Sequence, residues 1–189
     1  MSVIVDSYSE SNQDNSQSFG FSVSNTKMGQ TFTGDGSDIE SVSLYLENLL
    51  GSTGIATINL YAHTGTFGVS GIPTGSPLAS GTLDVSTIPD SFTLVNISLS
   101  SYTLVNGTNY CLVMEYVDDQ SNSTKIGYDS SSPAHPGNFI TCNSSGVFLA
   151  QATRDAIFYV YGVSVPSTPL SNFAVSSPFM TKQLTVTPY

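Results

Sequence analysis

The sequence predicts an all-β fold: a jelly-roll-type antiparallel β-sandwich with a C-terminal extended arm. Three observations carry this. Short runs alternate apolar and polar residues with a period of two, glycine- and serine-rich turns separate them, and no long stretch keeps a helical period. The first run sets Val42, Leu44 and Leu46 against Ser43, Tyr45 and Glu47. The surrounding segment, Ile39 to Leu50, is long enough for a helix, but its alternation and its Ser and Val content favour a strand. Next, Ala56, Ile58 and Leu60 alternate with Thr57, Asn59 and Tyr61, then Leu112, Met114 and Tyr116 with Val113 and Glu115. Finally Ala156, Phe158 and Val160 alternate with Ile157, Tyr159 and Tyr161. Turn clusters fall between them at Gly34-Asp35-Gly36-Ser37, Leu50 to Gly54, Val105-Asn106-Gly107 and Asp129 to Pro133. One apolar and one mixed face per strand suits two sheets packed face to face.

Two stretches read as long loops, His63 to Pro77 and Tyr128 to Asn138, and loops of that length are often functional. After Gly162 the text changes. Residues 163–189 hold Pro166, Pro169, Pro178 and Pro188 and end on Leu184-Thr185-Val186-Thr187, which reads as an arm beside a domain spanning residues 1–162.

Composition limits the function classes. Lys27, Lys125, Arg154 and Lys182 are the only basic residues against 14 acidic ones, a net charge of −10 over 189 residues. Such a surface is unsuited to the nucleic-acid backbone and to anionic membranes. No apolar run approaches the ~18 residues of a membrane span. Met1 is followed by Ser-Val-Ile-Val-Asp, with neither a basic nor an apolar leader region, so no signal peptide is expected. Yet the chain is Ser-, Thr- and Gly-rich and Lys-poor, like extracellular proteins. That pairing fits a trimmed export signal or a virion component, assembled in host cytoplasm and released by lysis. Cys111 and Cys142 are expected to be free thiols, since disulfides rarely persist in a reducing cytosol. Asn-x-Ser/Thr triplets at Asn96, Asn106, Asn122 and Asn143 matter only on a eukaryotic secretory route.

Several segments occur together: Val5 to Asn12, Gly29 to Gly34, Ser41 to Leu46, Ile58 to Gly68, Pro73 to Ala79, Asn106 to Tyr110, Gly127 to Pro133 and Arg154 to Gly162. In order and spacing they resemble the jelly-roll β-sandwich ("choice-of-anchor"-like) domain common in phage virion and bacterial surface proteins. The resemblance covers residues 3 to 162 and implies a non-catalytic module with no catalytic residues to transfer.

The chemistry-bearing candidates are few. Ser24 to Lys27 matches Ser-x-x-Lys, but its polar context does not desolvate the lysine as such a base requires. Glu40 with Glu47, and Glu115 with Asp118, are the carboxylate pairs to weigh for glycoside hydrolysis. His63 and His135 sit in the two long loops and meet only if the loops do. Asp35, Asp38 and Glu40 are candidate calcium ligands on a glycine turn, with Asp118, Asp119 and Asp129 as further oxygen donors, against solvated turn acids. Tyr45, Tyr61, Tyr159 and Tyr161 fall on alternate strand faces, where tyrosines fill a core, meet a partner or stack on sugar rings. In the arm, Phe173, Phe179, Leu184, Val186 and Tyr189 are candidate assembly contacts to another subunit, by strand addition to a sheet edge.

The expected function is therefore a non-enzymatic phage virion structural protein, a capsid decoration or tail/fibre component, partnered by copies of itself or other virion proteins. The alternative is a carbohydrate-binding adhesin module that recognises a host surface glycan. An accessory domain of a glycan-active enzyme ranks third. No cofactor is expected beyond the candidate calcium.

Overall fold

The computed structural model describes residues 1–19, 25–49, 51–117 and 123–164. They form an antiparallel β-sandwich. Thirteen strands run in chain order as β1 (Ser2–Tyr8), β2 (Asn15–Phe19), β3 (Lys27–Thr33), β4 (Asp38–Leu49), β5 (Ile55–Thr64), β6 (Ile72–Asp84), β7 (Thr93–Thr103), β8 (Asn109–Glu115), β9 (Ser123–Asp129), β10 (Phe139–Cys142), β11 (Phe148–Gln151), β12 (Asp155–Ala156) and β13 (Phe158–Val163). The first sheet has the order β1-β13-β4-β9-β12, with β7 on β4 and β2 on β9; the second is β11-β10-β3-β8-β5-β6. Among the described residues, helix is confined to two three-residue turns, Glu10–Asn12 and Val85–Thr87.

The apolar face of each alternating run is the inner one. Val42, Leu44 and Leu46 of β4 meet Ala56, Ile58 and Leu60 of β5 and Leu112 and Met114 of β8 in one core, joined by Phe32, Phe139 and Phe158. Each such side chain taken fully from water contributes roughly 1.5–3 kcal/mol. Ile39 to Leu50 is strand, as its alternation predicts.

The outer face of the second sheet is not solvated as the alternation implies. Cys111, Val113 and Ile140 are fully buried there in a second cluster with Tyr61, against which the half-buried Phe148 packs. Tyr61 hydrogen-bonds Glu115, which pairs with Lys27 at 3.0 Å, and Lys27 lies over the Phe148 ring. Aromatics and a salt bridge thus cap a second, smaller apolar layer.

One expected loop is largely strand. Of His63 to Pro77, residues 63 and 64 end β5 and Ile72 onward is β6. Pro73 and Pro77 are tolerated because β6 is the outermost strand of its sheet, and the register jumps between Leu60/Ala79 and Ala62/Thr74, so residues 75–78 bulge out. The domain boundary shifts slightly as well. Val163 belongs to β13, paired with Ser2 and Asp38. The rest of the arm, with Phe173, Phe179, Leu184, Val186 and Tyr189, lies outside the described residues.

Cys111 and Cys142 are both buried free thiols, and burial pushes the Cys111 thiol up to about 12. Cys111 pairs with Thr31 on β3, whereas the Ile140–Gly29 register carries Cys142 toward the Lys27 end of the same strand, on its other side. That separation far exceeds the ~7 Å Cα spacing that a disulfide spans.

Candidate ligand-binding face

The outer face of the first sheet carries a cluster of aromatic, hydroxyl and amide groups. On β13, Tyr159 and Tyr161 point outward and are half-buried, while Phe158 and Val160 between and beside them are fully buried. The two rings are parallel, 10° apart in plane with centroids 6.1 Å apart. Register places Ser43 beside Tyr159 and Ser41 beside Tyr161, with Asn96 and Ser98 of β7 one strand further. Asn96 donates to both serine hydroxyls at 3.2 Å. Tyr159 donates its hydroxyl to Glu10 at 2.7 Å. That bond, with burial, pushes the phenol up to about 12 and holds the Glu10 carboxyl below its ordinary value. Tyr45 closes the same face, stacked on Phe92 at 5.3 Å.

Two bulges open a groove at one end of this face. β4 slips register against β7 between Ile39 and Ser41, and β13 slips against β4 between Tyr161 and Gly162. The groove has a volume of about 380 Å³ and is lined by Asp38, Ile39, Glu40, Leu99, Ser101 and Val163.

The candidate calcium ligands are dispersed. Asp35 turns back on Ser37, accepting from its backbone N–H at 2.9 Å and its hydroxyl at 3.1 Å. Asp38 on β4 accepts the hydroxyl of Thr103 on β7, and Glu40 is exposed at the bulge. Among the described residues no three His, Cys, Asp or Glu side chains converge as a metal cage. Ser24 and Asp118 lie outside the described residues. Glu47 is paired with Lys125 at 3.2 Å, at the far end of β4 from Glu40. Tyr61, one of the four alternate-face tyrosines, is buried at 8%.

The two long loops do meet, but as a bolted corner rather than a cleft. A Cβ on Gly68 would lie 2.3 Å from the Pro136 carbonyl, and one on Gly137 2.2 Å from that of Thr31, so only glycine permits the approach. Asn138 donates to the carbonyls of Gly71 and Phe139 and accepts the Gly71 N–H. His135 is held behind this corner with its side chain 3% exposed. Its Nδ1 accepts from the Gly137 N–H at 3.0 Å and from Gln30 Nε2 at 3.2 Å, which assigns the ring proton to Nε2, facing Asp6 at 3.2 Å. Gln30 also donates to Asp155 at 3.0 Å and accepts the Ala156 N–H at 2.9 Å. Tyr8 completes the network, donating to Asp129 at 2.6 Å and accepting the Ala134 N–H.

The carboxyls of this network have been driven apart. Burial would raise Asp6, but the hydrogen bond from His135 and the N–H groups of Thr33 and Ser7 outweigh it, so Asp6 titrates below its usual value. Burial dominates at Asp155 and raises it, with nearby Asp129 adding to the effect. The constellation ties the loop of residues 128–138 to β1, β3 and β12.

His63 does not join it. Its Nε2 is buried without a hydrogen-bond partner, beside Gly71 and edge-on to Phe67, and burial lowers its pKa. The unfolded chain binds a proton near pH ~6.5 while the folded imidazole resists it, so stability is present above that pH and falls as the pH drops through it. We expect the urea midpoint to fall between pH 7 and 5, and His63→Leu to flatten the fall. Leucine is tolerated because it removes an unsatisfied polar atom. Identical pH profiles for the two proteins would show that His63 does not drive the loss.

No family model matches the chain, and no curated protein matches it. Among solved structures, one with the cysteine protease and lectin-like domains of a surface layer associated protein of Clostridium difficile is similar at 13% identity and a TM-score of 0.47. The match covers 74% of this chain and 32% of that one, so this chain spans about a third of that protein's length.

Proposed function

We propose that this β-sandwich is a non-catalytic carbohydrate-binding module that takes a surface glycan on the outer face of its first sheet. The parallel pair Tyr159 and Tyr161 on an open sheet face is the observation that carries the reading. A pyranose is amphipathic, with one C–H face and a hydroxyl rim. Tyrosine rings offer the apolar surface for the first, and the hydroxyl of Ser41, the Asn96 amide and the Glu10 carboxylate offer hydrogen bonds for the second. The sheet holds these groups before any ligand arrives, which limits the ordering cost of binding.

A glycan array followed by calorimetry tests this. The protein binds a defined set of oligosaccharides, and Tyr161→Ala weakens binding about tenfold, equivalent to ~1.4 kcal/mol, without changing the melting temperature by more than a few degrees. Silence on the array, or unchanged affinity in Tyr161→Ala, overturns the reading. A glycan-silent protein that copurifies with phage particles would favour the virion alternative, whose assembly contacts lie in the arm outside the described residues.

A further inference from the structure

The charge around the tyrosine face narrows the ligand, given the carbohydrate reading on which this rests. Every described lysine and arginine already has a partner. Lys27 pairs with Glu115 at 3.0 Å, Lys125 with Glu47 at 3.2 Å, and Arg154 lies 5.0 Å over the Tyr128 ring. None is left on this face to receive a carboxylate or sulfate. The acids there are Glu10, which holds Tyr159, Glu47, which is taken by Lys125, and Asp38 and Glu40 at the groove.

The groove continues the tyrosine surface. Val163 follows Tyr161 on the same face of β13, roughly 7 Å along the strand, and Val163 with Ile39 and Leu99 forms its apolar lining. Asp38, Glu40 and Ser101 supply the polar lining. At about 380 Å³ it lies at the small end of ligand pockets, suited to a single sugar residue. Asp38 spends one acceptor site on Thr103 and keeps others, and none of the described ion pairs involves Glu40. Two carboxylates flanking an apolar floor favour a cationic group and repel an anionic one.

We propose that the glycan bound here carries an amino sugar and no anionic group. The sugar's ammonium sits in the groove between Asp38 and Glu40 while the neighbouring residue stacks on Tyr161. The test is calorimetry near pH 6 with three probes: β-1,4-linked glucosamine oligomers, their N-acetylated counterparts and galacturonic acid oligomers. Glucosamine oligomers should bind at least tenfold more tightly than the acetylated ones, and the acidic oligomers should not bind. Glu40→Gln, at an exposed position, should cut the preference for glucosamine over acetylated oligomers to less than about threefold, whereas Tyr161→Ala should weaken both probes alike. Equal affinity for amine and acetamide, or comparable binding of the acidic probe, overturns this inference. If neutral glycans bind through Tyr161 without any amine preference, the inference fails and the carbohydrate reading stands. If no glycan binds at all, both fail.

Discussion

Gln30→Leu should destabilise the protein by about 3–5 kcal/mol, because it leaves the buried Ala156 N–H and Asp155 Oδ1 without their partner and removes one of the two bonds to His135 Nδ1. Gln30 is fully buried among apolar neighbours. Its amide accepts the Ala156 N–H and donates to Asp155 and to His135 Nδ1. Leucine fills similar volume, so little of the loss comes from packing. The Asp155 carboxylate, 1% exposed and left with only the His135 backbone N–H as donor, is the most costly remnant. Urea denaturation measures the loss. Hydrogen exchange locates it, with amides of 134 to 138 exchanging faster than those of the central strand β8. A loss under ~1 kcal/mol would show that the network does not hold the corner.

That network was invisible in the sequence for a physical reason. Met28, Gln30 and Phe32 share one strand face, so the period-two pattern places a glutamine in the core row. Nothing local says which partners reach it, because Asp155 and His135 are more than a hundred residues away. The strand faces themselves were legible: every apolar row picked out by alternation in β4, β5, β8 and β13 points inward. Alternation also put Tyr159 and Tyr161 on an outer face. It put Tyr61 on an outer face too, and the burial that alternation left open there comes from Phe148, which arrives from β11 to help cover that face. The groove escaped notice because two bulges make it, and a bulge appears only when strands are paired. Pro- and Gly-rich text at 73–77 suggested loop, since edge and interior strands differ in their tolerance of proline but not in their sequence position.

Gly29→Ala should cost about 3 kcal/mol, and the reason again lies in pairing rather than in local text. A glycine inside a strand reads as a weak point with no side chain to pack. In the folded chain it is a close approach. An ideal Cβ on Gly29 would lie 1.9 Å from the Leu112 carbonyl oxygen and 2.9 Å from the Val113 Cα, both backbone atoms of β8 that no rotamer change can move. Gly29 pairs with Val113 on one side and Ile140 on the other, at the centre of the second sheet. Relief therefore requires shifting β3 against β8, which disturbs the fully buried Met28 and Phe32 and the cluster of Cys111, Val113 and Ile140 together. The expected result is a lower urea midpoint with an unchanged m-value, since the fold survives while its centre is strained. Equal stability of Gly29→Ala and the parent would mean that β3 and β8 separate freely there, and the tight register assigned to this sheet would be wrong.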